Sequence, residues 1–179
     1  MNLDNLLAEK RSKIIKKWRN AIIETYPNET QRFIRKEKDQ FSNPVGLILK
    51  EEIETLYDEM TGAGDRKRIS SCLDNIIRIR AVQDFKPSRA IAFVLQLKRL
   101  IREEVKEKAP ENGHSSELDT LEDRIDDTAL QAFDIYSQCR QKIYEIRVNE
   151  VRNQVGRLLE KANLTCEIPE LAPGFRDDK

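Results

Sequence analysis

Apolar residues recur every three or four positions in five stretches of this 179-residue chain, the spacing of amphipathic helices. The first stretch carries Leu7, Ile14, Ile15, Trp18, Ala21 and Ile22 and predicts a helix from about Leu3 to Thr25. Tyr26-Pro27 stops it, because proline cannot continue the hydrogen-bond ladder. A short helix then starts at Asn28 and carries Phe33 and Ile34. Asn43 is a good N-cap and Pro44 a good first helical residue for the stripe Leu49, Ile53, Leu56, Tyr57 and Met60. Gly62-Ala63-Gly64 ends that helix, glycine being suited to the left-handed C-terminal conformation. Ile69, Cys72, Leu73, Ile76 and Ile77 line the fourth helix, with Cys72 read as a small buried apolar residue. Pro87 opens a fifth, whose inward face is Ala90, Ile91, Val94, Leu97, Ile101 and Val105, with Glu103 and Glu104 on a solvated end.

The last pattern runs from about 117 to 163 behind a capping-box-like Ser116-Glu117-Leu118-Asp119, roughly 68 Å of helix if unbroken. Leu118, Leu121, Ile125, Thr128, Ala132, Ile135 and Cys139 alternate by three and four, the coiled-coil spacing. The pattern slips through Ile143 and Ile146 and resumes in a new phase with Val148, Val151, Val155 and Leu158. Such a slip marks a helix that changes partner. The first phase completes the bundle and the second reaches a second chain. The fold expected is all-α: a helical bundle of about five or six helices with a very long C-terminal helix and an irregular tail. The domain is 1–163 and the tail is 164–179. In that tail Ile168, Leu171 and Phe175 stand between prolines, and large apolar residues there point to docking rather than plain disorder.

Composition narrows the function. Charged residues make up 36% and apolar ones 39%, which suits long helices with wide solvated faces. Lys plus Arg and Asp plus Glu both number 32, so no overall field draws nucleic acid. The first helix is basic on its outer side (Lys10, Arg11, Lys13, Lys16, Lys17, Arg19), which fits a membrane-surface helix but fits better a bundle helix neutralised by acidic neighbours. No apolar run approaches the ~20 residues of a membrane span, and Met-Asn-Leu-Asp begins no signal sequence, so a cytoplasmic protein is expected.

Chemistry is sparse. His114 is the one histidine and lies in a glycine-containing loop, which argues against acid–base pairs, triads and haem or zinc ligation; no cofactor or metal is expected. The glycines form no phosphate-binding pattern, and hydrolase or kinase signatures are absent. Cys166 is a candidate accessible thiol with a possible redox role, although the neighbouring Glu167 raises its pKa. The densest cluster is the segment Arg78-Ile79-Arg80-Ala81-Val82-Gln83-Asp84-Phe85-Lys86-Pro87-Ser88 between the fourth and fifth helices. Asp74, Arg78, Arg80, Gln83, Asp84, Lys86 and Ser88 either form a network that fixes the helix corner or line a pocket for an anionic ligand.

Trp18 with Tyr26-Pro27, then Phe33, then Phe41-Ser42-Asn43-Pro44-Val45-Gly46, then Arg78 through Phe85 with Pro87-Ser88, resemble the N-terminal domain of RsbRD-type proteins, the RsbT co-antagonists of the stressosome. Lys86 departs from the pattern, standing where a Thr-like helix cap is expected. The resemblance implies an all-α regulatory domain, often dimeric, without haem. Its long last helix would lead to an output domain in such proteins; here it implies a free-standing member that acts by binding a protein partner or a second copy. Members of that kind in sulfate-reducing bacteria imply an accessory role beside membrane-linked sulfur or electron-transfer machinery, with no membrane span in the chain itself. The two readings carried forward are a non-enzymatic docking or regulatory protein and a small-ligand sensor with its pocket near Arg78–Ser88.

Overall fold

A computed structural model describes residues 3–36, 43–62, 64–108 and 115–162. The loop holding His114, the segment 37–42 and the tail with Cys166, Ile168, Leu171 and Phe175 lie outside them. Among the described residues there are six helices and no strand: α1 (Leu3–Ile23), α2 (Asn28–Lys36), α3 (Pro44–Thr61), α4 (Arg66–Val82), α5 (Pro87–Lys108) and α6 (Ser115–Lys161). The chain divides into two units, Met1–Gln141 and Lys142–Lys179.

In the first unit α1 packs on α3 and α5, and α3 packs on α4 and α2. Trp18, Ile14 and Ile22 of α1, Ile53 and Leu56 of α3, Leu73 and Ile76 of α4, and Val94 and Leu97 of α5 are all fully buried. Trp18 is held on two sides. Its ring stacks on Phe93 at 6.2 Å, and its Nε1–H donates to the Phe93 carbonyl at 2.7 Å, so the indole dipole is satisfied inside the core. Tyr57 likewise donates its hydroxyl to the Leu7 carbonyl. The helix starts follow the sequence signals. Asn43 caps α3 by accepting from the Gly46 N–H at 2.8 Å, and Asp65 caps α4 by accepting from the Lys67 N–H at 2.9 Å.

Several expectations change. Glu104 is not on a solvated end: its side chain is 1% exposed and pairs with Lys13 at 2.8 Å and Lys17 at 2.7 Å of α1. It falls three residues after Ile101, on the buried stripe of α5. α1 ends at Ile23 rather than Thr25, its last turn closed by Thr25 and Tyr26 N–H groups bonding to Ile22 and Ile23. The Gly62–Gly64 segment does end α3, with Gly62 as its C-cap and the left-handed φ, 75°, at Gly64. Ser116 is already inside α6 and does not cap it; the Glu117 carboxylate instead accepts from the Leu3 N–H at 3.1 Å. The buried line of α6 is Leu121, Ile125, Thr128, Ala129, Ala132 and Tyr136, leaving Leu118, Ile135 and Cys139 half-buried. A straight helix drifts away from a strict heptad, which moves the buried line onto Ala129 and Tyr136.

Candidate functional site

The corner between α4 and α5 is built by a Schellman turn. The Phe85 N–H donates to the Arg80 carbonyl at 3.2 Å and the Asp84 N–H to the Ala81 carbonyl at 3.3 Å. Asp84 takes the left-handed position at φ 60°, which Asp tolerates better than most residues. In this motif the residue after the left-handed one packs against the last turn of the helix. Here that contact is the Phe85 ring against the Arg80 guanidinium, at 4.5 Å.

Arg80 is entirely buried and faces no carboxylate. Its guanidinium lies 5.5 Å from the ring centres of both Tyr26 and Phe93, and Tyr26 meets Phe85 edge-on at 5.1 Å. Nη2 donates to Thr25 Oγ1 at 2.9 Å and to the Arg89 carbonyl at 3.1 Å. Nε and Nη1 have no hydrogen-bond acceptor, and the Tyr26 hydroxyl is likewise buried without one. Ring faces rather than hydrogen-bond acceptors therefore surround much of this charge. Burial pulls the guanidinium below its ordinary pKa, with Tyr26 opposing, and pushes the Tyr26 phenol up.

The other polar residues of the segment go elsewhere. Arg78 is on the surface and pairs with Asp74 one turn back at 2.7 Å, which raises its pKa. Gln83, Lys86 and Ser88 are exposed. The Asp84 carboxylate accepts from Arg140 of α6 at 2.6 Å. Arg140 also donates to the Ala81 carbonyl at 3.1 Å, and the Tyr136 hydroxyl donates to the Phe85 carbonyl. Two side chains of α6 thus clasp the turn. Clefts of about 410, 700, 540 and 400 Å³ lie elsewhere, and none of these has a residue of 78–88 in its wall. Among the described residues no group of three or more His, Cys, Asp or Glu side chains comes together to hold a metal ion. Cys72 is buried, and burial, followed by its contact with Glu52, pushes its thiol up to about 12.

The helical part of the second unit, 142–161, presents its apolar side chains to solvent. Val148, Val151, Val155 and Leu158 are 57%, 58%, 45% and 66% exposed, and Tyr144, one step earlier in the same row, is 53% exposed. The spacing 144, 148, 151, 155, 158 is that of a coiled-coil seam. Sequence reasoning missed Tyr144, the clasp from Tyr136 and Arg140, and the aromatic cage. The signal for the cage was present: Arg80 follows Leu73, Ile76 and Ile77 on one stripe, and a charge on a buried stripe must be compensated.

Among the described residues no helix is long and apolar enough to cross a membrane. A protein of Archaeoglobus fulgidus, described only as uncharacterized, is 25% identical over 143 residues, which cover 78% of this chain and 83% of that protein. No solved structure matches the chain. The family model of the RsbT co-antagonist protein RsbRD N-terminal domain matches residues 12–151, taking in the Trp18 helix, the Asn43 cap, the Arg80 corner and the start of the exposed row, and the chain belongs to that family.

Proposed function

We propose that this member of a regulatory domain family is a non-enzymatic docking protein, and that residues 144–158 of α6 are the surface through which it pairs with a second copy of itself. The observation that carries this reading is the row Tyr144, Val148, Val151, Val155 and Leu158, at coiled-coil spacing and about half exposed or more. A run of this kind on one helix is costly to leave in water and takes a helix with the same spacing. Val148 and Val155 alternate with Val151 and Leu158, a mixture of β-branched and leucine seam positions that suits two strands. A formal charge of zero leaves little net repulsion between copies. Burying the exposed half of each side chain contributes about 1 kcal/mol, so two copies gain about 10 kcal/mol against an association cost of about 4–15 kcal/mol. At the low end of that cost the net is about 6 kcal/mol, a weak dimer dissociating at tens of micromolar. Ile168, Leu171 and Phe175 of the tail are proposed to join the same contact.

The sensor reading, with a pocket among Asp74, Arg78, Arg80, Gln83, Asp84, Lys86 and Ser88, has less support: its central cation is enclosed by rings and most of its other groups face outward. Amide hydrogen exchange at several protein concentrations tests the docking reading. Protection of 144–158 that rises with concentration supports pairing of two copies. Exchange independent of concentration counts against it and shifts attention to a helix of another protein, including one in a larger sulfur-metabolism or electron-transfer complex.

A further inference from the structure

We infer that the cleft walled by α1, α2 and the first two turns of α3 is a binding site for a small organic dianion. It encloses about 410 Å³, within the range of small-molecule sites. Arg19, Arg35 and Lys50 line it, and among the described residues no carboxylate does. Three other cations of α1 are neutralised, while Lys10 and Lys16 have no ion-pair partner among the described residues. Arg11 is neutralised by Asp58 at 2.6 Å, and Lys13 and Lys17 by Glu104. Arg19 and Lys50 have no such partner among the described residues, and Arg35 reaches only Glu24, at 3.8 Å on the exposed rim. In a chain of zero net charge this places three cations around one concavity. Two guanidinium forks and an ammonium suit a ligand with two anionic groups, since guanidinium pairs with carboxylate and phosphate through parallel hydrogen bonds.

The wall between the cations carries apolar side chains beside Asn20 and Asn43. Ile23 and Ile34 are buried there, with Leu47 beside them. Asn43 bridges two helices, donating from Nδ2 to the Ile34 carbonyl at 3.0 Å while its Oδ1 caps α3. A Cβ at Gly46 would stand 2.2 Å from that Nδ2, so a larger residue would push the Asn43 amide from its place in the bridge. The asparagine, proline and glycine of the 43–46 segment therefore shape a preformed wall. Apolar side chains between cations select an anion with a short carbon body over a bare inorganic one. This site is separate from residues 144–158 and stands or falls independently of them.

Calorimetric titration of the full chain at low ionic strength tests the inference, with adipate, glycerol phosphate and inorganic sulfate as probes. One of the two organic dianions should bind at a single site, and which one does distinguishes a dicarboxylate from a phosphate monoester. Arg19→Gln and Lys50→Gln should each weaken it by about tenfold, the loss of one charge-assisted bond. Added salt should weaken it further. No saturable binding of either organic probe would overturn the inference, as would binding that both substitutions leave unchanged, or sulfate binding as tightly as the organic probes. Lys50 is exposed and has no partner among the described residues, so Lys50→Gln decides the matter even if Arg19→Gln lowers stability.

Discussion

Burial alone would raise the pKa of Glu104, but hydrogen bonds from Lys13 and Lys17, and then their charges, hold it below its usual 4.5. A carboxylate depressed in the folded state stabilises the fold above its unfolded pKa, and that contribution is lost as pH falls through the folded value. Glu104→Gln should therefore cost about 1–3 kcal/mol near pH 7 and much less near pH 3, measured by urea unfolding at both. An equal cost at the two pH values would contradict the ion-pair account. Arg80 makes the opposite case, a buried charge with no counter-ion. Arg80→Met keeps the bulk and removes the charge, so its stability should stay within about 1 kcal/mol of the parent, because replacing a buried ion by an apolar isostere is often neutral. Arg80→Ala should cost about 3–5 kcal/mol by leaving a void among three rings. A large loss in both variants would show that the cage needs the charge itself. Both residues lie on stripes that the 3.6-residue period marks as inward. Their compensation was not legible, because Glu104 is 87 residues from Lys17 and Arg80 is 55 from Thr25.

At the scale of elements, helix starts were plain because their chemistry is local. Asn43, Pro44 and Pro87 act within one turn, and each sits where the side chain or ring requires. Helix ends were less plain. The α4 terminus uses Asp84 rather than glycine in the left-handed position, and its stabilising contacts come from Arg140 and Tyr136, more than fifty residues away. Gly46 gives the element-scale prediction. Gly46→Ala drives a Cβ into Asn43, so it should release the cap and cost about 1–3 kcal/mol, read as a lowered unfolding midpoint. A midpoint unchanged from the parent would mean that Asn43 does not hold the start of α3 as described.

For the whole molecule, the composition, the helical stripes and the resemblance were enough to read an all-α regulatory domain of the RsbRD N-terminal family. The change of phase in α6 was also visible, since the row from Val148 to Leu158 cannot share a face with Leu121 and Ile125. What covers that row was not visible, because seam spacing fits any helix with the same period. The basic cleft was missed for a related reason: Arg19, Arg35 and Lys50 come from three helices and share no sequence motif. The central claim is that the exposed row of α6 joins two copies of the chain. Sedimentation equilibrium of the full chain and of Val151→Glu with Leu158→Glu tests it most directly. The account predicts a reversible dimer for the parent at about 100 μM and a monomer of unchanged helicity for the double variant. A parent that stays monomeric, or a double variant that associates as the parent does, would contradict it.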